Sequence, residues 1–266
     1  YRHLGGDRAA GIGRIRRMRI AIFTNEDHVF LYDAWRRLLP QLAKEHEVVG
    51  LWIFPDVLKN LRGPAIPFWY LRTFGIATVV RLAWRSFRAG IAARGGYAAM
   101  TRSFGVPLMR GINPNDPDVV AWVERERVDV VLITIGNVLK PPLLNAVRLA
   151  VLNKHSSLLP AFRGILPVFW TLLDGTVPVG VTVHRVVEKI DSGEHLVQRA
   201  YPEFRGSVFE AYVAIYRDMP ELFLAAIAAL ESGKREGVSL SQKSCYKSLP
   251  TRADVRAFRA KGMRFV

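Results

Sequence analysis

An α/β fold, a mostly parallel sheet flanked by helices, is predicted by three features of the sequence. Apolar, β-branched runs at Met18 to Phe23 and Val48 to Phe54 bracket a stretch of helical apolar spacing, making a strand-helix-strand unit of about forty residues. A third run, Asp129 to Gly136, is apolar along almost its whole length, as strands buried on both faces are. Polar residues, glycines and prolines collect after these runs, at the edge where open α/β sheets bind ligands.

Taken in order, Tyr1 to Arg17 has no apolar core and carries Gly-Gly, Gly-Ile-Gly and scattered Arg, so it reads as a flexible leader (1–17). Met18 to Phe23 is the first strand and Thr24-Asn-Glu-Asp27 its turn. Leu31, Ala34, Trp35, Leu38 and Leu39 then stripe a helix over Phe30 to Leu42. That turn has neither Gly-x-Gly-x-x-Gly nor Gly-x-x-x-x-Gly-Lys, which argues against a dinucleotide fold of the usual kind and against a P-loop NTPase. Pro55-Asp56 stops the second strand. Residues 57–103 interrupt the alternation as an insert. Within it Phe68 to Ala89 has helical spacing, with Arg81, Arg85 and Arg88 on one face and Gly75 as a breaker. Two readings of that helix stay open: it lies in a membrane interface, or it docks on the protein's own core or on a second copy in a homodimer.

Phe104 to Leu108 reads as a short third strand, Pro117 to Glu126 as a helix capped by Asp116, and Leu143 to Val147 as a short helix. The apolar run Leu149 to Leu152 ends at Asn153-Lys154-His155, and strand alternation puts Asn153 and His155 on one side. A loop punctuated by Pro160, Gly164 and Pro167 leads to a short helix through Trp170 to Leu173. Gly180 to Val187 then alternates like a strand, with Asp191-Ser192-Gly193 as its turn. These elements make one Rossmann-like domain, 18–200. After Tyr201 a long helix, Ser207 to Leu230, and a short one, Thr251 to Lys261, make a helical C-terminal extension (201–266).

The chain has 266 residues, half of them hydrophobic, enough to bury a full core. Its net charge of +15 is uneven: residues 1–19 contribute six Arg against one acid, and residues 57–111 nine basic residues and no acid. The insert therefore points to an anionic partner: a phosphate-rich substrate, nucleic acid or a membrane surface. The alternative is solvated Arg on exposed helix faces. Cys245 is the single cysteine, which excludes an internal disulfide and any Cys-based zinc cage, and the histidines show no ligand spacing. No metal is expected. No apolar stretch reaches the roughly 20 residues of a spanning helix, so the expected location is cytoplasmic, peripheral at the inner membrane face if residues 68–89 make contact there.

One Asn, one His and one Asp are common. Four motifs in series are not: Asn153-Lys-His155-Ser-Ser-Leu-Leu-Pro160, Arg163-Gly164-Ile-Leu-Pro167, Gly180-Val-Thr-Val-His184 and Asp191-Ser-Gly193. Together they resemble the folate-dependent formyltransferases, over roughly Met18 to Tyr201. The resemblance implies N10-formyltetrahydrofolate as formyl donor and Asn153, His155 and Asp191 as the catalytic trio. It also implies a pteridine cleft lined by Ile135, Gly136, Asn137, Val138 and Leu139 and by Val187, Glu188, Lys189 and Ile190. The chemistry suits those residue types: attack of an amine on a formyl carbon needs a donor for the oxyanion and a route for a proton.

For the acceptor, the turn at Thr24 to Asp27 is acidic where the glycinamide ribonucleotide enzymes carry a Gly/Ser-rich phosphate loop. The segment after Tyr201 is short where the methionyl-tRNA enzymes carry a tRNA-gripping barrel. The expectation is therefore a nucleotide- or lipid-linked amino sugar. A tRNA formyltransferase of reduced size is the alternative enzyme, and a formyltransferase-like scaffold that binds a membrane or a partner without turnover is the non-catalytic one.

Overall fold

The computed structural model describes residues 17–233 and 243–266; residues 1–16 of the expected leader, with His3, and the segment 234–242 lie outside the described residues. The first half of the chain holds β1 (Arg19–Thr24), α1 (Leu31–Glu45), β2 (Glu47–Ile53), a hairpin of β3 (Val57–Leu58) and β4 (Leu61–Arg62), then α2 (Ala65–Phe74), α3 (Ile76–Ala92), α4 (Gly96–Ser103) and β5 (Leu108–Arg110). The second half holds α5 (Pro117–Arg125), β6 (Val130–Ile133), α6 (Pro141–Ala146), β7 (Ala150–His155), β8 (Arg163–Gly164), α7 (Pro167–Asp174), β9 (Val179–Arg185), β10 (His195–Tyr201), α8 (Val208–Ser232), β11 (Tyr246–Lys247) and α9 (Arg252–Ala260).

Seven strands form one sheet in the order β10-β9-β7-β6-β1-β2-β5, parallel from β7 to β5, with β9 and β10 added antiparallel at the other end. Alternation sends Ile20 and Ile22 of β1 to one face and Ala21 and Phe23 to the other. The first face carries α1, α7, α8 and α9; the second carries α5 and α6. Both faces are thus covered, which is why these strands read as continuous apolar runs. The extension after Tyr201 shares this core: Phe223 of α8 stacks on Trp35 of α1 at 5.7 Å, and both are buried.

The chain runs outward from β1 through β2 to β5, then crosses back to β6 on the other side of β1. The carboxyl ends of β1 and β6 therefore flank the point where strand order reverses, the usual ligand crevice of such sheets. Thr24 and Thr134 meet there, hydroxyl to hydroxyl, at 3.0 Å.

Several local expectations are corrected. The third strand is Leu108–Arg110 and not Phe104 to Leu108, because α4 runs to Ser103 and Gly105, at φ 65, completes its exit turn with Val106 N–H donating to Thr101 O. The helical stretch at 68–89 does break at Gly75, as expected, into two helices that reach beyond it at both ends, and the Gly75 φ of 88 is one that a side chain would strain. Asp116 makes no side-chain cap; α5 begins instead through Pro117, whose ring pre-sets the helical φ. The hairpin β3–β4, the helix α4 and the strands β8, β10 and β11 have no counterpart in the sequence reading. β8 and β11 pair with each other, in parallel and far apart in sequence, so the C-terminal extension contains one short strand.

The capping chemistry is local. Ser207 with Glu210, and Thr251 with Asp254, form reciprocal capping boxes on α8 and α9. Arg252 and Arg259 of α9 donate to the carbonyls of Arg72 and Phe74 at the end of α2, satisfying orphan acceptors there.

Candidate active site

β7 and β9 are paired so that Asn153 lies directly opposite His184 and His155 opposite Thr182. This register, invisible before the pairing is known, builds the site. Asn153 Nδ2 is 3.2 Å from His184 Nε2, and His184 Nδ1 is 2.7 Å from the carbonyl of Arg185. A carbonyl only accepts, so Nδ1 carries the hydrogen, and Nε2 is left to accept from the Asn153 amide. One N–H of Asn153 is spent on His184, and the other is left to donate.

The same reasoning applies to His155. Its Nε2 donates to Phe162 O at 3.0 Å, which leaves the lone pair of the neutral ring on Nδ1, 3.5 Å from Asp191 Oδ2. Asp191 Oδ1 is 3.5 Å from His184 Nε2. One carboxylate thus faces two imidazoles, and its Oδ2 accepts a third contact, the Gly164 N–H at 2.8 Å.

Burial lowers the His155 pKa below its ordinary 6.5, although the Asp191 charge and the bond to Phe162 pull the other way. His155 is therefore neutral at pH 7. For Asp191, burial disfavours the charge, but His155 and His184 once protonated, together with the Gly164 N–H, outweigh it and bring the carboxyl down to about 2. An ionised carboxylate beside a neutral imidazole is poised to stabilise an imidazolium that forms during a reaction.

Asp191 reaches this position from a φ of 48, a left-handed conformation that Asp tolerates better than most residues. The turn around it is pinned from the β8 side. Arg163 Nη1 donates to Ile190 O and to Ser192 Oγ, both at 3.1 Å. A Cβ on Gly193 would fall 1.9 Å from Arg185 O, so only glycine lets the turn close onto β9. The Arg163-Gly164 and Asp191-x-Gly193 motifs are two halves of one clamp.

A cleft of about 740 Å³ opens over these groups. Asn153, His155 and Asp191 line it together with Ile135, Gly136, Asn137, Val138, Leu139, Val187, Glu188 and Ile190. Lys189 does not; it lines a smaller recess beside Arg163 and Ser192. Gly136 packs so closely on Val57 that a Cβ would meet its carbonyl at 2.1 Å, so the β3–β4 hairpin of the insert forms one wall.

Sequence reasoning missed several lining residues, among them His184, Lys154, Tyr212 and Tyr216. His184 stood in a quoted motif, yet only the β7–β9 register shows that it holds Asn153. Lys154 is buried, with Nζ donating to Ser156 Oγ at 2.9 Å and sitting 3.6 Å from the centre of the Tyr216 ring. Desolvation pulls its pKa from 10.5 down to about 7, against the attraction of Asp27. Its signal, a lysine inside an apolar strand end, was present in the sequence.

The formyl transferase family matches residues 100–218, which span the second half of α4 to the middle of α8 and include every group of the His–Asp–Asn cluster. Over this stretch the chain is similar to the formyl transferase family. A methionyl-tRNA formyltransferase from Synechococcus sp. is 32% identical over 138 residues, 51% of this chain and 43% of that one. Another from Rhodopirellula baltica is 36% identical over 101 residues, 38% of this chain and 30% of that one. The chain thus spans less than half the length of these curated relatives. Among solved structures, glycinamide ribonucleotide transformylase 1 from Symbiobacterium toebii superposes with a TM-score of 0.56 at 20% identity, covering 82% of this chain and 89% of that one. A sugar N-formyltransferase from Shewanella sp. superposes with a TM-score of 0.56 at 18% identity, covering 87% and 77%. These likenesses show the formyltransferase fold: a mostly parallel sheet flanked by helices, with a helical C-terminal segment.

Proposed function

We propose that the chain transfers a formyl group from N10-formyltetrahydrofolate to the primary amine of a nucleotide- or lipid-linked amino sugar. The observation that carries the transfer is the His155–Asp191 pair beside a free Asn153 N–H, inside the formyl transferase match. The donor supplies an activated formyl carbon. The acceptor amine attacks that carbon, its proton passes to His155 Nδ1, and the ion pair with Asp191 stabilises the imidazolium. Asn153 Nδ2 donates to the developing oxyanion, a role worth about 10² to 10³ in rate. As the bond to N10 breaks, His155 returns the proton to the leaving nitrogen.

The cleft fits a flat heterocycle. Asn137 Oδ1 is buried without a hydrogen-bond partner among the described residues, and the large apolar side chains of Val138, Val187 and Ile190 stand exposed along the walls. A bound pteridine would supply N–H donors and cover apolar surface.

Three features support the sugar acceptor. At the turn after β1, where a phosphate could sit on the N-terminus of α1, Asp27 Oδ1 accepts from Phe30 N at 2.6 Å and Leu31 N at 3.2 Å. The carboxylate already takes the amides a phosphate would use. Tyr212, Tyr216 and Tyr246 line the cleft with phenols suited to a polyol, and Lys59, Arg62 and Lys140 line it with cations suited to a diphosphate. The same reading keeps the enzyme cytoplasmic and peripheral to the inner membrane face, with residues 68–89 in contact.

A second reading, formylation of a charged tRNA, is favoured by the names of the relatives above and by the +15 charge. Labelled formyl donor, offered in parallel with charged initiator tRNA and with a panel of nucleotide-linked amino sugars, separates the two. Label on the sugar amine is the expected result; label on tRNA alone refutes it.

A further inference from the structure

The helix α3 presents a face that nothing among the described residues covers. None of its seventeen residues is buried, although its sequence is amphipathic. Ile76, Val80, Trp84, Phe87 and Ile91 are 64%, 57%, 59%, 60% and 60% exposed, and their spacing of four, four, three and four residues puts all five on one stripe. The Trp84 and Phe87 rings stack at 5.9 Å within it. Phe68 and Leu71 of α2, joined to α3 at Gly75, are exposed as well. Isolated exposed apolar side chains are ordinary, but a contiguous row of this kind marks an interaction surface.

The opposite side of α3 faces the protein. Thr78, Leu82 and Ala89 are half-buried there, and Arg85 lies 4.1 Å over the Phe209 ring of α8. Arg81 and Arg88 project along one flank between this side and the apolar stripe, Arg81 reaching toward the Val266 carbonyl at 3.5 Å. The seventeen-residue helix is about 25 Å long, and no helix among the described residues is long and apolar enough to cross a membrane.

We infer that α3 lies flat in the headgroup region of an anionic lipid surface, with Ile76, Val80, Trp84, Phe87 and Ile91 inserted and Arg81 and Arg88 at the phosphates. Charge selects lipid over a second copy of the chain. Residues 57–111 hold nine basic residues and no acid, so a self-complementary contact on this face would bring two such segments together without a counter-charge. A bilayer of anionic lipid neutralises the same row. Through Arg85 and Phe209 the helix also sits beside the first turn of α8, whose Tyr212 lines the cleft. The inference deepens the peripheral-membrane part of the proposed function and rests on none of its chemistry.

The test is flotation of the full chain, without donor or acceptor, on vesicles of phosphatidylcholine with about one-third phosphatidylglycerol and on pure phosphatidylcholine. Binding to the anionic vesicles at low salt is expected, at least ten-fold weaker on pure phosphatidylcholine or at high salt. The combined variant Trp84→Ser, Phe87→Ser, Ile91→Ser should lose at least ten-fold in binding while melting at the parent temperature. Trp84→Phe should still bind but lose most of the tryptophan quenching by brominated lipid. Absence of binding at low salt overturns the inference, as does undiminished binding of the triple variant. A stable parent dimer by light scattering that the triple variant dissolves gives the stripe to a second copy. A lowered melting temperature of the triple variant assigns it to the protein's own packing. Because no formyl transfer is measured, any of these failures leaves the catalytic reading intact, and failure of that reading leaves vesicle binding intact.

Discussion

The cluster at the end of β7 and the helix α3 invert the ordinary partition of side chains in opposite senses. Around Asp191, charged and polar groups are buried and over-determined: two imidazoles, a backbone amide and an arginine-held turn converge on one carboxylate. Along α3, large apolar groups stand in solvent and no residue is buried. Each departure from the polar-out, apolar-in rule marks a place where something outside the chain belongs. On the proposed function, the buried polarity of the first serves charge that appears during a reaction. On the inference drawn for α3, the exposed apolar surface of the second serves a lipid phase. Substitutions should therefore separate the two regions: those in the cluster cost rate, and those in α3 cost neither rate nor stability in solution.

The largest effect is expected for His155→Ala, a loss of about 10³-fold or more in kcat/KM with the fold retained by circular dichroism. A variant within ten-fold of the parent refutes the proton route. Asp191→Asn follows, at about 10²-fold, with a diagnostic pH dependence. Activity of the parent should rise with pH through the His155 pKa, below 6.5, because only the neutral ring accepts a proton. Removing the Asp191 charge removes an attraction that raises that pKa, so the acid limb of kcat/KM should move to still lower pH. A limb that moves upward contradicts the assignment.

Within the clamp, Arg163→Ala frees the turn that carries Asp191 and should lower kcat/KM by about ten-fold, since misplacement of a catalytic group costs orientation before it costs chemistry. Its melting temperature should change little, because Arg163 serves an exposed turn.

Lys154 lies between the two extremes, a buried cation inside the site. Its folded pKa of about 7 lies below the ordinary 10.5, so the unfolded chain binds the proton more tightly and stability rises with pH between those values. Lys154→Met should then stabilise the fold by about 2 kcal/mol at pH 6 to 7 and by less at pH 9, read from urea unfolding. An equal gain at both pH values would show that the lysine is not desolvated.

The smallest effect is the sharpest contrast. Trp84→Ser with Phe87→Ser should change stability by less than about 0.5 kcal/mol and leave formyl transfer to a free nucleotide-sugar unchanged. A fall in either would mean that α3 packs against the body of the protein in solution.

Local chemistry accounts for what could be read along the chain. The strands Met18 to Phe23, Val48 to Phe54 and Asp129 to Gly136 were recognisable because burial on both faces makes a strand apolar throughout, and α8 because Ser207 to Leu230 carries a long Ala-rich amphipathic pattern. Asn153 and His155 could be placed on one side of a strand end by alternation alone, and the spacing of four motifs pointed to the formyltransferases. Elements whose stability is not their own were out of reach. β10 is too polar on its exposed side to announce itself, and β8 and β11 are two residues each, held only by one another.

Pairing across the sheet had to be decided in three dimensions. The register that sets Asn153 against His184, and the fold-back that brings Asp191 to Gly164 and His155, join residues some thirty apart, and no periodicity encodes a contact between separate elements. The same limit holds for α3. Its amphipathic pattern follows from the sequence, but whether that apolar face meets a core or stays open depends on what the fold places opposite it, and the described residues place nothing there.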